Sequence, residues 1–323
     1  NIRDQCSWIH MNEPEKATKK AKDLVRMAVA KSRLLEPLYE SKLPVTHSAV
    51  VVGGGISGMT AALDIAAQGF KVDIIERTGA LGGNAAKIHH EEDGKKISTF
   101  AKELADKVSA DKNITVHLNT EVQDVGGFVG NFKIQTSQGE IETGSVVVAV
   151  GAEEYKPTEY LYGQNSNVVT QLELEEKMES GNIPAKRIAM IQCVGSRNTD
   201  APYCSRVCCA NAIKNAISLK KADPSKDIYV FHKDIRTYGF REDLYKEASS
   251  LGVKFIRVPE DKPPMVSQDG SALTLTAFDT ILGDDITIRP DMVVLSTGIR
   301  PHADNEELAK MLKVPLSKDK YFL

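Results

Sequence analysis

The most constraining stretch of this chain is "SAVVVGGGISGMTAALDIAAQGFKVDIIER", residues 48–77. A short β-branched run, a glycine turn, an apolar helical segment and a second β-run follow one another there. Gly53-x-Gly55-x-x-Gly58 falls between the first strand and the helix, the context in which this pattern binds a dinucleotide. Gly53 permits the tight turn, Gly55 lets a pyrophosphate approach the backbone, and Gly58 lets helix and strand pack closely. The phosphate charge then meets the helix N-terminus. Glu76, with Arg77 beside it, closes the second strand about 20 residues on, where a carboxylate accepts hydrogen bonds from a ribose.

Composition limits what surrounds this unit. The 323 residues suffice for two domains with their own cores. With 41 basic against 44 acidic residues, no global field favours nucleic acid or an anionic membrane, and neither partner is implied. No apolar run approaches the roughly 20 residues of a membrane span, and the N-terminus lacks a signal-peptide pattern, so a cytoplasmic location is expected by default. Residues 14–35 place Ala17, Ala21, Leu24, Ala28 and Leu35 at helical spacing beside a basic face, which predicts a packed helix. The chain opens on Asn1 and stops at Leu323 in what reads as the start of a strand, the pattern of a fragment.

The residues after Glu76, "ERTGALGGNA", resemble the extended flavin fingerprint of the two-dinucleotide-domain disulfide reductases. That resemblance implies FAD, with Gly82, Gly83 and Asn84 along it. Glu121-Val122 is similar to the strand whose backbone meets the adenine there, and Ala149-Val150-Gly151 to the Ala-Thr-Gly turn, with Val where Thr is usual. In that superfamily a second strand-turn-helix unit holds NAD(P)H. Here the corresponding strand, "KRIAMIQ", runs into Cys193-Val-Gly195-Ser196, and one glycine remains of three, so the second pyrophosphate seat is missing.

Four of the five cysteines stand in its place, spaced C-x10-C-x3-C-C as Cys193, Cys204, Cys208 and Cys209. The last two precede the helical pattern "ANAIKNAISLKKA", so they fall at a helix start, which favours anionic sulfur. Four thiolates suffice for zinc or a 4Fe-4S cluster, and adjacent cysteines suit the cube better than one tetrahedral ion. Spacing alone leaves buried thiols and a redox pair at 208–209 equally open.

Together, "NIRDQCSWIH", the glycine fingerprint, "GFVGNFKI", "CVGSRN", "YCSRVCCANAIKNA" and "DIRTYG" resemble the A-type subunit of heterodisulfide reductase, from methanogens and many anaerobes, over nearly the whole chain. The resemblance implies an α/β fold of two Rossmann-like three-layer domains of the thioredoxin reductase type, with an N-terminal helix. It implies residues 1–44 as a helical linker, 45–155 as the first part of the FAD-binding domain, 156–295 as a degenerate NAD-like domain carrying a 4Fe-4S cluster, and 296–323 as an incomplete return to the FAD domain through Ser296-Thr297-Gly298. The implied cluster ligands are Cys193, Cys204, Cys208 and Cys209.

The implied function is that of an electron-transferring flavoprotein subunit, with electron bifurcation as the family's chemistry. Its partners would be other heterodisulfide reductase-like subunits or redox proteins such as ferredoxin, hydrogenase or dehydrogenase subunits, with homodimerisation open. No residue is assigned a catalytic role. Lys87, beside the glycine loop, is a candidate for tuning the flavin. Cys6 reads as an unpaired thiol, and His89 and His90 as a solvated loop without partners at metal-ligand spacing. The family's ferredoxin-like insertion after the Gly-Gly-Asn loop is replaced by "HHEEDGKKISTFAKELADKV". Family members continue beyond the second Thr-Gly turn with a segment that covers the flavin, and a true end at Leu323 would weaken its binding. The rival readings are an NAD(P)H-dependent disulfide or persulfide reductase using Cys208 and Cys209, and a non-catalytic scaffold.

Overall fold

The computed structural model describes residues 1–40, 42–89, 96–181 and 183–323. They fall into two compact units, Asn1–Pro44 and Val45–Leu323. In the first, a π-helical turn at Arg3–Ser7 precedes helix α1, Pro14–Ser32. Cys6 is buried, and its thiol donates to the Ala17 carbonyl at 2.7 Å. The expected helix therefore forms, but it is not packed as its spacing predicts: Ala17, Ala21 and Leu24 are only half-buried, and no residue of α1 is fully buried.

In the second unit, a parallel sheet is assembled first. Strand β1 (Ser48–Val52), helix α2 (Ile56–Ala67), β2 (Lys71–Ile75), helix α3 (Ile97–Ala110) and β3 (Ile114–His117) are followed by an antiparallel meander. Its strands are β4 (Val122–Phe128), β5 (Asn131–Thr136) and β6 (Gly139–Thr143). Strand β7 (Ser145–Val148) then returns to the parallel sheet, whose order is β3-β2-β1-β7. β1 is nearly all Ala and Val because it is covered on both faces. On one side Val51 and Ile74 pack with Met59 of α2 and Val108 of α3; on the other Val50 and Ile75 meet Ile134 of the meander. Each such side chain contributes about 1.5–3 kcal/mol by leaving water.

After a short strand β8 (Glu153–Glu154), the same logic recurs. Strand β9 (Val168–Thr170), helix α4 (Gln171–Ser180), β10 (Arg187–Val194), helix α5 (Cys208–Ala222), β11 (Asp227–His232), helix α6 (Glu242–Ser250) and β12 (Lys254–Arg257) alternate. An antiparallel layer follows, β13 (Met265–Asp269), β14 (Ala272–Asp279) and β15 (Asp284–Ile288), and then β16 (Met292–Thr297) re-enters the parallel sheet. The sheet order is β12-β11-β10-β16-β9. Ile213 and Ala216 of α5 pack on one face, and Leu273 and Leu275 of β14 on the other.

Two strands link these layers: β17 (Ile299–Arg300) pairs antiparallel with β8. Helix α7 (Asn305–Leu312) then lays Leu308 into the core formed by Val50, Ile75 and Ile134. The terminal residues make one isolated bridge, Leu316 to Phe322, rather than a strand. No helix among the described residues is long and apolar enough to cross a membrane.

Candidate functional site: a glycine-lined cleft opening toward the cysteine loop

The glycine turn has the conformation its sequence demands. Gly53 adopts φ +111°, and a Cβ there would fall 2.4 Å from the Ala149 carbonyl oxygen. A Cβ on Gly58 would fall 1.9 Å from the Gly53 oxygen, so only glycine lets α2 sit this close to the turn. At Gly55, the residue capping α2, nothing lies within 4 Å of a Cβ position. The backbone is bare on that side, facing a cleft of about 1100 Å³. Gly82 donates from its N–H to the Gly54 carbonyl at 2.8 Å, which brings Gly83 against Gly55.

Among the expected cofactor-binding positions, Gly53, Gly55, Glu76, Arg77, Gly83, Asn84, Val122, Ala149 and Gly151 line this cleft, as does Lys87. Gly58 and Gly82 are not among the lining residues: Gly58 packs against Gly53 and Val51, and Gly82 against Ala86. Gly298 lies elsewhere: it packs against Ser196 and Ser205 of the cysteine segment, where a Cβ would meet Ser196 Cβ at 2.9 Å. It stands between β16 and β17, outside the cleft.

Glu76 does more than face a ribose. Its carboxylate accepts from Gly54 N at 2.7 Å and from Thr78 N and Oγ1 at 2.8 Å each, clamping the turn to the second strand. A carboxylate offers about four acceptor positions, so one remains for a ligand. Arg77 pairs with Asp304 at 2.9 Å and thereby ties the residue before α7 to the cleft rim. His302, Asp304, Leu308 and Met311 line the same cleft. Sequence reasoning missed them, because the helical spacing of 305–312 signals burial without naming its partner.

A second cavity of about 940 Å³ shares Asn84, Gly151, Ala152 and Glu154 with the first and reaches Cys208. Asn84 fixes the shared wall by donating from Nδ2 to the Ala152 carbonyl at 2.7 Å. Its other lining includes Lys214, which is almost fully buried and pairs at 2.7 Å with the fully buried Glu175. The second oxygen of Glu175 accepts from the His89 backbone N–H at 2.8 Å. His89 is held by its backbone N–H; His90 lies outside the described residues. Ser296, fully buried, receives the side-chain amides of Gln171 (3.1 Å) and Gln192 (2.8 Å) beside this cavity.

The cysteine loop is set by a bulge in β10 between Ile191 and Val194, where the pairing with β16 slips. Cys193 stands in it at φ +62°, and a bulge of this kind re-aims a side chain. Cys193, Arg197 and Arg206 are three of the eight non-glycine residues at left-handed φ among the described residues. Such conformations cost of order 1–3 kcal/mol each and cluster where function over-determines the backbone. Cys208 and Cys209 open α5, as the sequence predicts.

All four thiols are free and lie within electrostatic reach of one another. Burial first, then the neighbouring sulfurs, pushes Cys208 up to about 12 and Cys209 up to about 11. Burial likewise raises Cys193, against the lowering pull of Arg197 and Lys233. Burial here opposes the pull of the helix start. Among the described residues no three His, Cys, Asp or Glu groups are close enough to share one metal ion. A four-iron cube takes one thiolate per iron, and four cysteines supply that number of donors.

Gly195, the glycine left in the second turn, is covered by the ring of Tyr155. A Cβ at Gly195 would fall 2.0 Å from Tyr155 Cδ1. The ring is held over this turn by its backbone N–H on the Gly298 carbonyl (2.9 Å) and by Arg300, 5.0 Å from the ring centroid.

Residues 47–196 match the family model described as pyridine nucleotide-disulphide oxidoreductase. In fold the chain is similar to the thioredoxin reductases of T. acidophilum and Lactococcus lactis, each at TM-score 0.61 and 18% identity. The alignments cover 85% of this chain and 83% and 84% of theirs. The fold of the chain is that of the thioredoxin reductases.

Whole-chain similarity is narrower. The chain is 32% identical, over its full length, to the second A-type iron-sulfur subunit of the CoB–CoM heterodisulfide reductase of Methanopyrus kandleri. It is equally similar to the A-type subunit of the H2:CoB-CoM heterodisulfide,ferredoxin reductase of Methanothermobacter thermautotrophicus. The chain spans 64% of the length of each of these two relatives. The first alignment runs over 427 positions for 323 residues, so that relative carries inserted residues this chain lacks.

Proposed function

We propose that this chain is an electron-transferring oxidoreductase subunit that binds FAD in the glycine-lined cleft and a 4Fe-4S cluster on Cys193, Cys204, Cys208 and Cys209. The observation that carries this reading is the continuity of the two cavities: a bare glycine ledge at Gly55 lies at one end and Cys208 at the other, with Asn84 and Gly151 common to both. FAD would supply two-electron chemistry and the cluster single-electron transfer.

The chain's own residues prepare both places. The α2 N-terminus and the Gly55 backbone receive a pyrophosphate, Glu76 keeps one acceptor for a ribose hydroxyl, and the Val122 strand end borders the adenine side. Lys214, locked to Glu175, sets a fixed ion pair beside the second cavity, an oriented polar group of the kind by which a protein tunes a flavin. Lys87 is exposed on the rim and serves that purpose less well. The Tyr155 ring over Gly195 argues against the reading as a nicotinamide-driven reductase, since it occupies the ground a pyrophosphate would need. By its relatives' names, the natural setting is an assembly with other heterodisulfide reductase subunits, and ferredoxin is the redox protein those names carry.

The test is anaerobic purification with flavin, iron and acid-labile sulfide counted per chain. One FAD and about four irons are expected. Serine in place of Cys193, Cys204, Cys208 or Cys209 should lower the iron, and Cys6→Ser should not. Full flavin without iron or sulfide would sink the cluster assignment.

A further inference from the structure

Strand β17 stands where the two cavities meet: Ile299 lines the second, and the next residue, Arg300, lines the glycine-rich cleft. Its pairing with β8 sets Arg300 opposite Glu153, yet that carboxylate turns to His302 Nδ1 at 3.7 Å, and Glu154 accepts from Thr297 Oγ1 at 2.8 Å. Among the described residues the Arg300 side chain makes no hydrogen bond and no ion pair, and its Nε is buried without an acceptor. An aromatic face holds it instead, with the guanidinium carbon 5.0 Å from the centroid of the Tyr155 ring. That ring is fixed at both ends, by its backbone N–H on the Gly298 carbonyl at 2.9 Å and by its hydroxyl on Glu159 at 3.2 Å.

A cation–π contact employs the charge of a guanidinium and none of its five N–H donors. A buried donor left without an acceptor is unfavourable, the more so on a charged group, so a ligand oxygen in the cleft would relieve it. The other lysines and arginines lining the cleft are committed or exposed: Arg77 pairs with Asp304 at 2.9 Å, Lys156 faces Glu154 at 3.9 Å, and Lys87 is exposed on the rim. Within a dinucleotide a planar fork fits phosphate best, because two parallel N–H groups meet two oxygens of one charged group.

We infer that Arg300, steadied by Tyr155, binds the diphosphate of FAD through the edge of its guanidinium, in addition to the backbone ledge at Gly55. The inference rests on the FAD reading above and adds a residue to it.

The experiment is a calorimetric titration of the purified chain, freed of flavin, with FAD and with ADP, which carries the same diphosphate and adenosine but no flavin. Wild type, Arg300→Gln and Arg300→Lys are compared, and the melting temperature of each flavin-free protein is measured. Arg300→Gln should bind both ligands about tenfold or more weakly than wild type. Arg300→Lys, which keeps the charge and loses the fork, should fall between, and neither variant should melt earlier without ligand. If Arg300→Gln does not fold, Arg300→Lys decides in its place. FAD weakened with ADP unmoved sets Arg300 on the flavin half and overturns the phosphate assignment. Melting temperatures that fall together with affinity in both variants mark a structural role and overturn it as well. Both ligands unmoved overturns the inference and leaves FAD standing; a wild type that binds neither ligand overturns both.

Discussion

The Tyr155 ring stands over Gly195 so closely that a methyl group added to the glycine would lie 2.0 Å from ring carbon Cδ1. Gly195 also sits at φ +70°, two residues beyond Cys193. Gly195→Ala should therefore cost about 1–2 kcal/mol from its backbone conformation alone, before the clash, and should release iron together with stability. Thermal unfolding and iron content, measured on one preparation, check both. NADPH should leave the flavin of the wild type oxidised under anaerobic conditions, and rapid bleaching would contradict the covered seat.

The glycines of the first turn separate packing from binding. Gly58→Ala drives a methyl group to within 1.9 Å of the Gly53 oxygen, so the protein should be destabilised and flavin-free. Gly55→Ala meets no protein atom and has ordinary φ of −75°, so the melting temperature should hold while FAD affinity falls at least tenfold. Flavin retained on Gly55→Ala through gel filtration would show that no pyrophosphate lies there.

The buried pair Lys214–Glu175 should behave as a unit. Removing one partner leaves an uncompensated buried charge, so Glu175→Gln or Lys214→Met should each cost about 3–5 kcal/mol, and the double variant clearly less than the sum. A double-mutant cycle by denaturant unfolding measures the coupling.

His232 supplies a pH dependence away from the cysteines. Burial, the largest cause, with Arg257 assisting against Asp234, lowers its pKa to about 4, and Nδ1 has no partner. The folded protein thus holds the ring neutral where the unfolded chain, near 6.5, takes a proton. Its contribution is complete above pH 6.5 and is lost as pH falls toward 4, by up to about 3 kcal/mol. His232→Phe, beside Phe255, should flatten this part of the stability curve in acid unfolding experiments.

The strand, glycine turn, helix and second strand over 48–75 and the helix over 208–222 were legible in the sequence, because a glycine turn between a β-branched run and an apolar helix has few physical solutions. So was the missing second glycine motif. The chain also announced a cluster of four cysteines, two of them at a helix start, but not how deeply the fold buries Cys208 and Cys209, because burial depends on distant elements and the helix position is local. Likewise the stripe in 14–35 gave the helix but not its exposure.

What only the tertiary structure decided is which distant residues meet: Tyr155 over Gly195, Lys214 with Glu175, Asp234 between Arg197 and Arg236. Periodicity and spacing report how much of an element is covered and where a chain must turn. They carry no information on which long side chain crosses from one element to another, because that depends on how layers with independent patterns settle against each other.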